Sequence, residues 1–470
     1  MSTTTTGRGR TADTLSQRER EEELLARCET LVAEALRAGA DEAEAFATHA
    51  QKSAATFEKG DLKLAHVDEG STIGLRVFRQ NRLGFAATNQ FDAAALAAAA
   101  RNAVALASAS PADPANRLPD ARPIVELPSL VHPGIARLGI DEAVDLGHTL
   151  LTRAQKFDTR ISVDGANAST SRVSQAIHTS RGVRAVESDA MVSLSISGMA
   201  LEGADVGGFH YGSDAIRDPV LLESALARLA DDFARTSVGN LAAQRAPTSY
   251  QGLVLFSPDA VLDLFVAPVL AASSAIAVQR GRSALGKRLG ERIGAPGLSI
   301  HDRPGDAELA GAASFDREGQ PARLFALVED GWLRGWMYNG YAAAVENRAS
   351  TGHARGGARG APGLGAHAVC VAGGTGGSRE DLLAALGRGL LVQRFSGSVD
   401  PASGDFSGVA KSSRWVEGGR ETGPVRETLL SGNAYQLLAR IVALGNASER
   451  VDGSARSPWA LVDGLTVTAG

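Results

Sequence analysis

The spacing of apolar residues along the chain switches between the period of a helix and the period of a strand. Near the N-terminus, apolar side chains recur three or four positions apart until Gly39, which is typical of an amphipathic helix that ends at a glycine. A helix beginning at Pro258 is also indicated, because Ser257 is a preferred N-cap and proline is favoured at the first helical position. The predicted helices cover 17–37, 91–109, 141–157, 220–236, 258–278, 380–387 and 434–444.

Between these helices, apolar residues alternate with polar ones, which is typical of half-buried strands. The alternation runs through Ile73, Leu75 and Val77 and resumes after a polar turn, so the sequence predicts a hairpin there. A second hairpin is indicated by the turn at 329–331, which ends in Asp-Gly. The predicted strands cover 73–77, 83–87, 161–166, 173–178, 183–187, 192–199, 252–256, 324–328, 332–338, 366–371, 390–395 and 414–417.

Glycine-containing turns separate most of the predicted strands, and short turns of this kind join antiparallel neighbours. We therefore expect an α+β protein with two domains, mostly antiparallel sheets and flanking helices. A change of pattern at Ala246-Pro247 marks the expected boundary. The predicted divisions are a disordered tail at 1–16, an N-terminal α+β domain at 17–245 with subregions 17–110 and 140–240, and a C-terminal domain at 246–470.

Composition narrows the possible partners and the compartment. The 470 residues include 48 Lys and Arg against 53 Asp and Glu, a net charge of −5, so a nucleic-acid partner is not expected. The two cysteines, Cys28 and Cys370, cannot build a disulfide framework, which fits the reducing cytosol. The first residues lack the apolar stretch of a secretory signal, and the apolar run 261–278 contains Asp263 and Pro268. We expect a cytoplasmic protein without membrane contact.

The sequence does not match the common motifs for nucleotide binding and for hydrolase chemistry in full. The segment 281–287 matches GxxxxGK, but Arg288 stands where a phosphate-binding loop needs Ser or Thr, so a surface loop is the simpler interpretation. No serine has the glycine spacing of a nucleophile elbow. None of the nine histidines is followed by Glu. A zinc site built from His353, His367 and Cys370 remains open, beside the interpretation that these are solvated loop histidines and a buried thiol.

Two glycine-containing loops are candidates for peptide binding. In the first, Gly352 would let another backbone approach His353, and Arg355 or Arg359 would hold a carboxylate; an exposed loop without such a role is the alternative. In the second, an aromatic residue lies between flexible positions, and a turn capped by its Asp is the alternative. The candidate residues of the second loop are Gly404, Asp405 and Phe406.

Nine short segments, in the same order, give the chain a resemblance to a known family. It resembles the TldD/PmbA family of metallopeptidase-related bacterial proteins from about residue 22 to the C-terminus. One departure is Thr179, where the family often has Asn. The segments that carry the resemblance are 81–86, 110–114, 179–182, 283–287, 314–319, 330–331, 350–353, 403–406 and 431–433.

The resemblance implies a function for the chain within a larger assembly. In this family, one subunit type holds zinc with an HExxxH helix and a late cysteine. The matching segments here, 258–278 and 452–458, contain no histidine and no cysteine respectively. The chain is therefore similar to the other type, called TldE or PmbA, which implies no catalytic residue, metal ligand or cofactor in this chain. Zinc is expected in a TldD-like partner, and the two subunits would enclose a chamber in which unfolded peptides are cut.

Two further hypotheses stay open beside this one. The chain could be a homodimeric peptide-binding or scaffold protein without proteolytic activity, or a self-sufficient hydrolase with an unrecognised site. In the two-subunit peptidase, an extended peptide could add to a sheet edge of this chain through main-chain hydrogen bonds, which gives little sequence preference. The loops 352–365 and 403–408 are the expected lining for such a peptide.

Overall fold

The computed structural model describes residues 16–128 and 130–470. The predicted tail 1–16 lies outside the described residues except for Ser16, which caps the first helix. The Ser16 hydroxyl oxygen accepts a hydrogen bond from Glu19 N at 3.3 Å, and Ser16 N donates to Glu19 Oε2 at 2.8 Å. This capping box starts the helix at Gln17, as the sequence pattern predicts.

The first half of the chain folds into one antiparallel sheet with helices on one face. The strand order is β3-β2-β1-β4-β5, with β6 and β7 both paired to the outer side of β5. The elements are α1 (Gln17–Arg37), β1 (Glu42–Glu58), β2 (Asp61–Arg79), β3 (Arg82–Thr88), α2 (Ala93–Ala109), α3 (Pro133–Ala136), α4 (Ile140–Phe157), β4 (Ile161–Thr179), β5 (Arg184–Glu202), β6 (Asp205–Val206), β7 (His210–Ile216) and α5 (Pro219–Gly239).

Alternation along the strands decides which face of this sheet the helices cover. Alternate residues of β1 and β2, such as Ala45 and Leu75, pack against α1 and α2. Residues such as Ala168 and Leu194 of β4 and β5 pack against α4 and α5. The helices therefore share one face of the sheet, and the residues between these positions point to the other face.

The second half contains two larger sheets and a short two-stranded pair. Its elements are β8 (Gln244–Arg245), β9 (Tyr250–Phe256), α6 (Pro258–Val261), a π-helical turn (Leu262–Val266), α7 (Ala267–Ala272), α8 (Ala275–Gln279), β10 (Ile300–Asp302), β11 (Phe325–Glu329), β12 (Trp332–Leu333), α9 (Gly340–Val345), β13 (Ala354–Arg355), β14 (Gly363–Leu364), β15 (Val369–Val371), α10 (Arg379–Leu386), β16 (Gly389–Val392), β17 (Arg394–Val399), β18 (Asp405–Lys411), β19 (Ser413–Glu417), β20 (Arg420–Arg426), β21 (Leu429–Asn433), α11 (Ala434–Leu438), β22 (Ile441–Leu444), β23 (Glu449–Val451), β24 (Ala455–Ser457) and β25 (Ala460–Thr468).

The larger of these sheets forms the main core of the second half. Its order is β17-β18-β21-β25-β9-β16-β19-β20-β8, and β22 also pairs with β25. The smaller sheet has the order β12-β11-β10-β15-β24-β23, and β13 pairs with β14. The parallel pairs are β16 with β9, β15 with β24 and β20 with β8. Helices combined with mostly antiparallel sheets confirm the predicted α+β class.

A group of buried charges joins the two halves on the sheet face away from the helices. Arg76 Nη2 donates to Glu44 Oε2 at 2.6 Å and to Glu318 Oε1 at 2.8 Å, and Arg317 Nη1 donates to Glu44 Oε1 at 2.8 Å. The Arg317 guanidinium also lies over the Phe46 ring at 4.1 Å. The side chains of all four ionised residues are at most 6% exposed. We call Glu44, Arg76, Arg317 and Glu318 the inner contact.

Several strand predictions need correction. The runs 161–166 and 173–178 are one strand, β4, because Gly165 lies at a bulge where the pairing register with β5 shifts, instead of in a turn. The runs 183–187 and 192–199 likewise belong to β5. Strand β1 was not predicted; its inward positions are mostly alanine, which gives a weak apolar signal.

Two helix predictions need correction. The segment 258–278 is helical over its predicted length but not continuous: it contains a π-helical turn that ends two residues before Pro268, because a proline ring clashes with the carbonyl four residues earlier. A break follows at Ser274, whose backbone is extended. The segment 434–444 is helical only to Leu438, and Ile441–Leu444 is a strand that pairs with β25. None of the helices in 16–128 and 130–470 is both long and apolar enough to cross a membrane.

Candidate functional site

The helical segment Pro258–Gln279 lies against the main core of the second half. Ser257 Oγ accepts a hydrogen bond from Ala260 N at 3.3 Å, which confirms the predicted N-cap. The inward side of the segment is hydrocarbon: Leu264, Phe265 and Val269 are fully or almost fully buried. Phe265 also packs edge-on against Phe256, with ring centroids 5.2 Å apart. These three side chains contribute packing and offer no ligand atom to a metal ion.

A cleft of about 360 Å³ opens where the start of this helical segment meets β7, α5 and β17. It is lined from both halves of the chain, and its ionisable side chains carry both signs. Those used below are His210, Asp214, Arg228, Asp259, Arg394, Arg450 and Asp452. We call it the charged cleft.

Arg394 connects the two sides of the charged cleft. Its Nη2 lies 3.1 Å from Asp259 Oδ1, and its guanidinium stacks over the Tyr211 ring at 3.9 Å. Burial raises the pKa of Asp259 to about 6; Arg394 opposes this rise, and the charges of Asp452 and Asp263 add to it. Asp259 therefore exchanges a proton close to neutral pH.

His210 is the second unusual group in the cleft. It is 8% exposed and stacks on Phe233 with ring centroids 6.0 Å apart. Burial, with a smaller contribution from Arg394, lowers the pKa of His210 to about 4, so the ring is neutral at pH 7. Its Nδ1 has no hydrogen-bond partner among the residues that the structure describes.

The charged cleft has the chemistry of a site for a polar ligand. Ionisable groups with displaced pKa values are enriched at functional sites, and Asp259 and His210 are displaced in opposite directions within one cavity. Other charges are matched: Asp214 accepts from Arg450 at 2.8 Å and from Arg228 at 3.1 Å. Proton transfer or hydrogen bonding by Asp259 is the chemistry that this geometry supports.

The first predicted loop is buried at 352–354 and mostly exposed at 355–361, so the alternative of an exposed loop is corrected only for its first part. Gly352 has a φ of +77°, and a Cβ there would lie 2.3 Å from Pro321 O, so the position requires glycine. His353 is 1% exposed, and its ring packs edge-on against Phe325 with a centroid separation of 4.8 Å. His353 Nε2 lies 3.2 Å from Asp302 Oδ2, outside hydrogen-bonding geometry.

His367 and Asp302 hold this loop in place. Arg355 donates to His367 Nδ1 at 2.9 Å, so His367 Nε2 carries the proton and donates to Gly352 O at 2.8 Å. Burial lowers the pKa of His367 to about 4, in agreement with a neutral ring. Asp302 accepts from His367 N at 2.8 Å and from Ala368 N at 2.6 Å. The loop is thus fixed by polar contacts among its own neighbours.

The zinc set considered from the sequence does not assemble. The rings of His353 and His367 are 6.0 Å apart, and both already have neighbours within the fold. Burial raises the pKa of the Cys370 thiol to about 11, which disfavours the thiolate that zinc requires. Within 16–128 and 130–470, no three His, Cys, Asp or Glu side chains converge in a way that could hold a metal ion.

The second predicted loop divides between core and surface. Gly404 has a φ of +85° and is packed so closely on Tyr435 that a Cβ would lie 2.4 Å from its ring. Phe406 is 5% exposed and belongs to the main core, whereas Asp405 is exposed and accepts from Asn433 Nδ2 at 2.8 Å. No hydrogen bond, ion pair or ring contact in the described chain joins this loop to residues 352–355. Peptide binding by either loop stays a prediction.

Sequence analysis missed the residues of the charged cleft. His210, Asp259 and Arg394 come from three segments far apart in the sequence, so spacing alone does not bring them together. The one local signal was the strong helix start at Ser257-Pro258, which places Asp259 in the first turn. The sequence placed Asp259 at the start of a helix, but it did not show that this residue lies partly buried beside Arg394.

Comparison with known sequences defines the class of protein first. Three domain models of one metallopeptidase family match consecutive parts of the chain: PmbA/TldA metallopeptidase domain 1 at 43–107, the central domain at 133–249 and the C-terminal domain at 249–469. The chain belongs to the PmbA/TldD family of metallopeptidase-related proteins, which confirms the resemblance found in the sequence.

Individual relatives extend this result over most of the chain. Metalloprotease PmbA of Escherichia coli O157:H7 is 26% identical over 445 residues, which cover 93% of this chain and 94% of the relative. A metalloprotease TldD homolog of Haemophilus influenzae is 25% identical over 87% of this chain and 86% of its own length. The crystal structure of TldE from Thermococcus kodakarensis superposes with a TM-score of 0.84 at 20% identity, covering 94% of this chain and 100% of that one. This likeness establishes the fold.

Proposed function

We propose that this chain is the non-catalytic, TldE/PmbA-type subunit of a cytoplasmic two-subunit zinc metallopeptidase that cuts unfolded peptides. The inward side of the helical segment Pro258–Gln279 carries the proposal. In the family pattern a zinc-binding subunit has its ligands on this helix, and here the segment contains no histidine and its inward side is packed with Leu264, Phe265 and Val269. The residues present do not fit zinc, so the metal is assigned to a TldD-like partner.

The open face of the N-terminal sheet supports a role as chamber wall. Opposite the helices, β4 and β5 carry small polar side chains that face one another across the strands: Asn167 beside Ser195, and Ser169 beside Ser193. Asn167 Nδ2 donates to Ser195 Oγ at 3.3 Å. A face of this kind offers hydrogen bonds to a peptide main chain and selects little for side chains.

An open sheet edge supports peptide binding by strand addition. β3 pairs with β2 only along Ile73–Arg79, so the outer edge of β2 between Asp61 and Thr72 has no neighbouring strand in the described chain. Most side chains of this stretch are exposed. Unpaired main-chain N–H and C=O groups along such an edge accept an extended segment. The segment is either a peptide substrate or a strand of the partner subunit.

Coexpression with a TldD-like subunit that contains HExxxH tests the proposal. We expect one complex that degrades unfolded casein and loses this activity with EDTA, while this chain alone is inactive. Failure of the two chains to associate, or metal-dependent cleavage by this chain alone, would contradict it. A stable homodimer that binds peptides without any partner would favour the scaffold hypothesis instead.

A matched pair of variants tests the chamber wall within that complex. Ser193→Trp places a large side chain on the open sheet face, and Thr149→Trp places one on the exposed side of α4. We expect the first variant to slow peptide cleavage at least about fivefold by obstructing the chamber, with unchanged zinc content, and the second to leave cleavage unchanged. Equal cleavage rates for both variants would show that the substrate does not pass along the open face.

A further inference from the structure

A pocket separate from the charged cleft gathers arginines from three parts of the chain. Its volume is about 400 Å³. Arg117 and Arg122 lie on the irregular connector between α2 and α3, Arg181 lies in the turn between β4 and β5, and Arg348 follows α9. Asp120 is the only carboxylate among the described lining residues. We call this the arginine pocket.

The arginines of this pocket are unequally neutralised. Arg181 pairs with Glu42 and with Asp120 Oδ1, the latter at 2.6 Å. Arg117 and Arg122 form no ion pair in the described chain: Arg122 Nη1 donates to Ser350 O at 3.0 Å, and Arg117 Nη2 donates to Asn347 Oδ1 at 3.4 Å. Two guanidinium groups therefore keep an uncompensated positive charge at the pocket.

Gln320 supplies an independent sign of a ligand. It lines the same pocket and is 1% exposed. Its Nε2 donates to Asp120 O at 3.1 Å, which fixes the orientation of the side-chain amide. Its Oε1 is buried and has no hydrogen-bond partner in the described structure. A buried acceptor without a donor is costly, so the pocket lacks one N–H or O–H group.

We propose that the arginine pocket binds the α-carboxylate end of a peptide or amino acid. Guanidinium groups pair with carboxylates through two parallel hydrogen bonds, which the unpaired Arg117 and Arg122 can provide. The N–H group adjoining an α-carboxylate supplies the donor that Gln320 Oε1 lacks. A volume of about 400 Å³ accommodates one or two residues.

Inorganic phosphate fits this pocket less well by size. Guanidinium groups bind phosphate, and HPO4²⁻ retains an O–H that can donate to Gln320 Oε1, but a volume of about 400 Å³ suits a ligand larger than a single phosphate ion. The combination of unpaired cations with a buried acceptor selects a ligand that carries both a negative charge and a donor. This inference does not rest on the proposed function, because it concerns binding by this chain alone.

Calorimetric titration of the full chain without any partner tests the proposal. The probe is acetyl-alanyl-alanine with a free C-terminus, and the comparison is the same peptide as its C-terminal amide. We expect the acid to bind and the amide to bind at least about tenfold more weakly, because the charge is lost. Acetyl-alanyl-proline lacks the N–H group and should bind about fivefold more weakly than acetyl-alanyl-alanine.

Paired variants locate the binding to the arginine pocket. The double substitution Arg117→Gln and Arg122→Gln should weaken binding of the acid at least about tenfold. Both side chains are exposed, so the fold should tolerate the change. The control combines Arg101→Gln and Arg282→Gln, which remove two exposed, unpaired arginines outside the pocket and should leave the affinity unchanged.

The remaining titrations separate the sources of the ligand. Tighter binding of free alanine identifies an amino acid, and tighter binding of the acetylated peptide identifies a peptide terminus; either supports the proposal. Three results would overturn it: equal binding of acid and amide, tighter binding of inorganic phosphate than of the acid, or no binding of the acid at about 10 mM. Equally tight binding of an amide-capped glutamate peptide would also overturn it, since the pocket would then receive an acidic side chain from a partner protein.

Discussion

Two of the places where the halves of the chain meet differ in how their charged groups are arranged. In the inner contact, Glu44 is buried between Arg76 and Arg317, and Glu318 accepts from Arg76, so two acids and two bases balance. In the charged cleft, Asp259 and His210 keep pKa values far from their ordinary ones, and His210 Nδ1 lacks a partner in the described residues. Arg76 Nε also lacks a hydrogen-bond partner in the described residues, so the two places differ in charge balance and not in hydrogen bonding. Balanced opposite charges are typical of a structural contact, whereas displaced pKa values in a cavity are typical of a site.

Because of this difference, substitutions in the inner contact and in the charged cleft should affect stability in different ways. Removing one member of a buried group whose charges balance leaves an uncompensated charge and costs much stability. Removing an incompletely paired group from an open cleft costs less and changes mainly the pH dependence. The inner contact should therefore control folding, and the charged cleft should control the response to pH.

The largest effect is expected at Glu44. Glu44→Gln leaves Arg317 buried without its carboxylate partner and Arg76 with Glu318 alone, and we expect the free energy of unfolding to fall by about 3–5 kcal/mol at pH 7. Denaturant titration measures it. Glu58→Gln, at the exposed end of the same strand, is the control and should change stability by less than about 0.5 kcal/mol. Similar losses in both variants would contradict the assigned role of the inner contact.

His210 should make the fold sensitive to acid. Its pKa is lowered to about 4 in the folded chain, chiefly by burial, so folding is opposed by protonation and stability is lost as the pH falls from about 6.5 towards 4. His210→Phe keeps the stacking on Phe233 and removes the proton. We expect the variant to be more stable than the natural chain by about 2 kcal/mol at pH 4.5, with a smaller difference at pH 7.5. A constant difference across this range would contradict the prediction.

Asp259 should change the pH dependence of stability in the direction opposite to His210, over an overlapping pH range. Its pKa is raised to about 6, chiefly by burial, so the folded chain favours the protonated form and stability is lost as the pH rises from about 4 through 6. Asp259→Asn should therefore gain about 1 kcal/mol over the natural chain between pH 4.5 and pH 7.5. If the gain appeared on acidification instead, the assigned direction of the pKa shift would be wrong.

The smallest effect is expected at the rim of the charged cleft. Ser213 Oγ donates to Asp452 Oδ1 at 2.9 Å between the two halves of the chain. Ser213→Ala should cost about 0.5–1 kcal/mol, because Asp452 can exchange this hydrogen bond for one with water. Denaturant titration of this variant and of Glu44→Gln at pH 7 compares how much the two contacts contribute to the free energy of unfolding. A loss as large as that of Glu44→Gln would remove the distinction between them.

Local chemistry was predictable from the sequence, and distant pairing was not. The Ser257-Pro258 start and the hairpin at 329–331 were predicted correctly because a few adjacent residues determine them. Glu44 and Glu318 both contact Arg76 although they lie 274 positions apart in the sequence. The spacing of apolar residues along the chain does not predict such a contact. The same holds for His210 and Arg394.

The candidate loops also show that sequence analysis does not predict distant contacts. The sequence singled out His353 because small residues surround it, but small residues suit close internal packing as well as ligand approach. The structure shows the internal packing: His353 lies beside Asp302, which belongs to a strand 51 residues earlier in the sequence. Strand β1 escaped prediction because alanine, its main inward residue, does not distinguish a strand from a helix.

The zinc content of purified subunits tests the central claim most directly. Elemental analysis should find far less than one zinc per molecule in this chain alone and one zinc per heterodimer after assembly with a TldD-like partner. The assignment of the metal to the partner depends on the segment Pro258–Gln279, which contains no histidine and packs its inward side with apolar residues. One tightly bound zinc in this chain by itself, retained after dialysis against a weak chelator, would contradict the account.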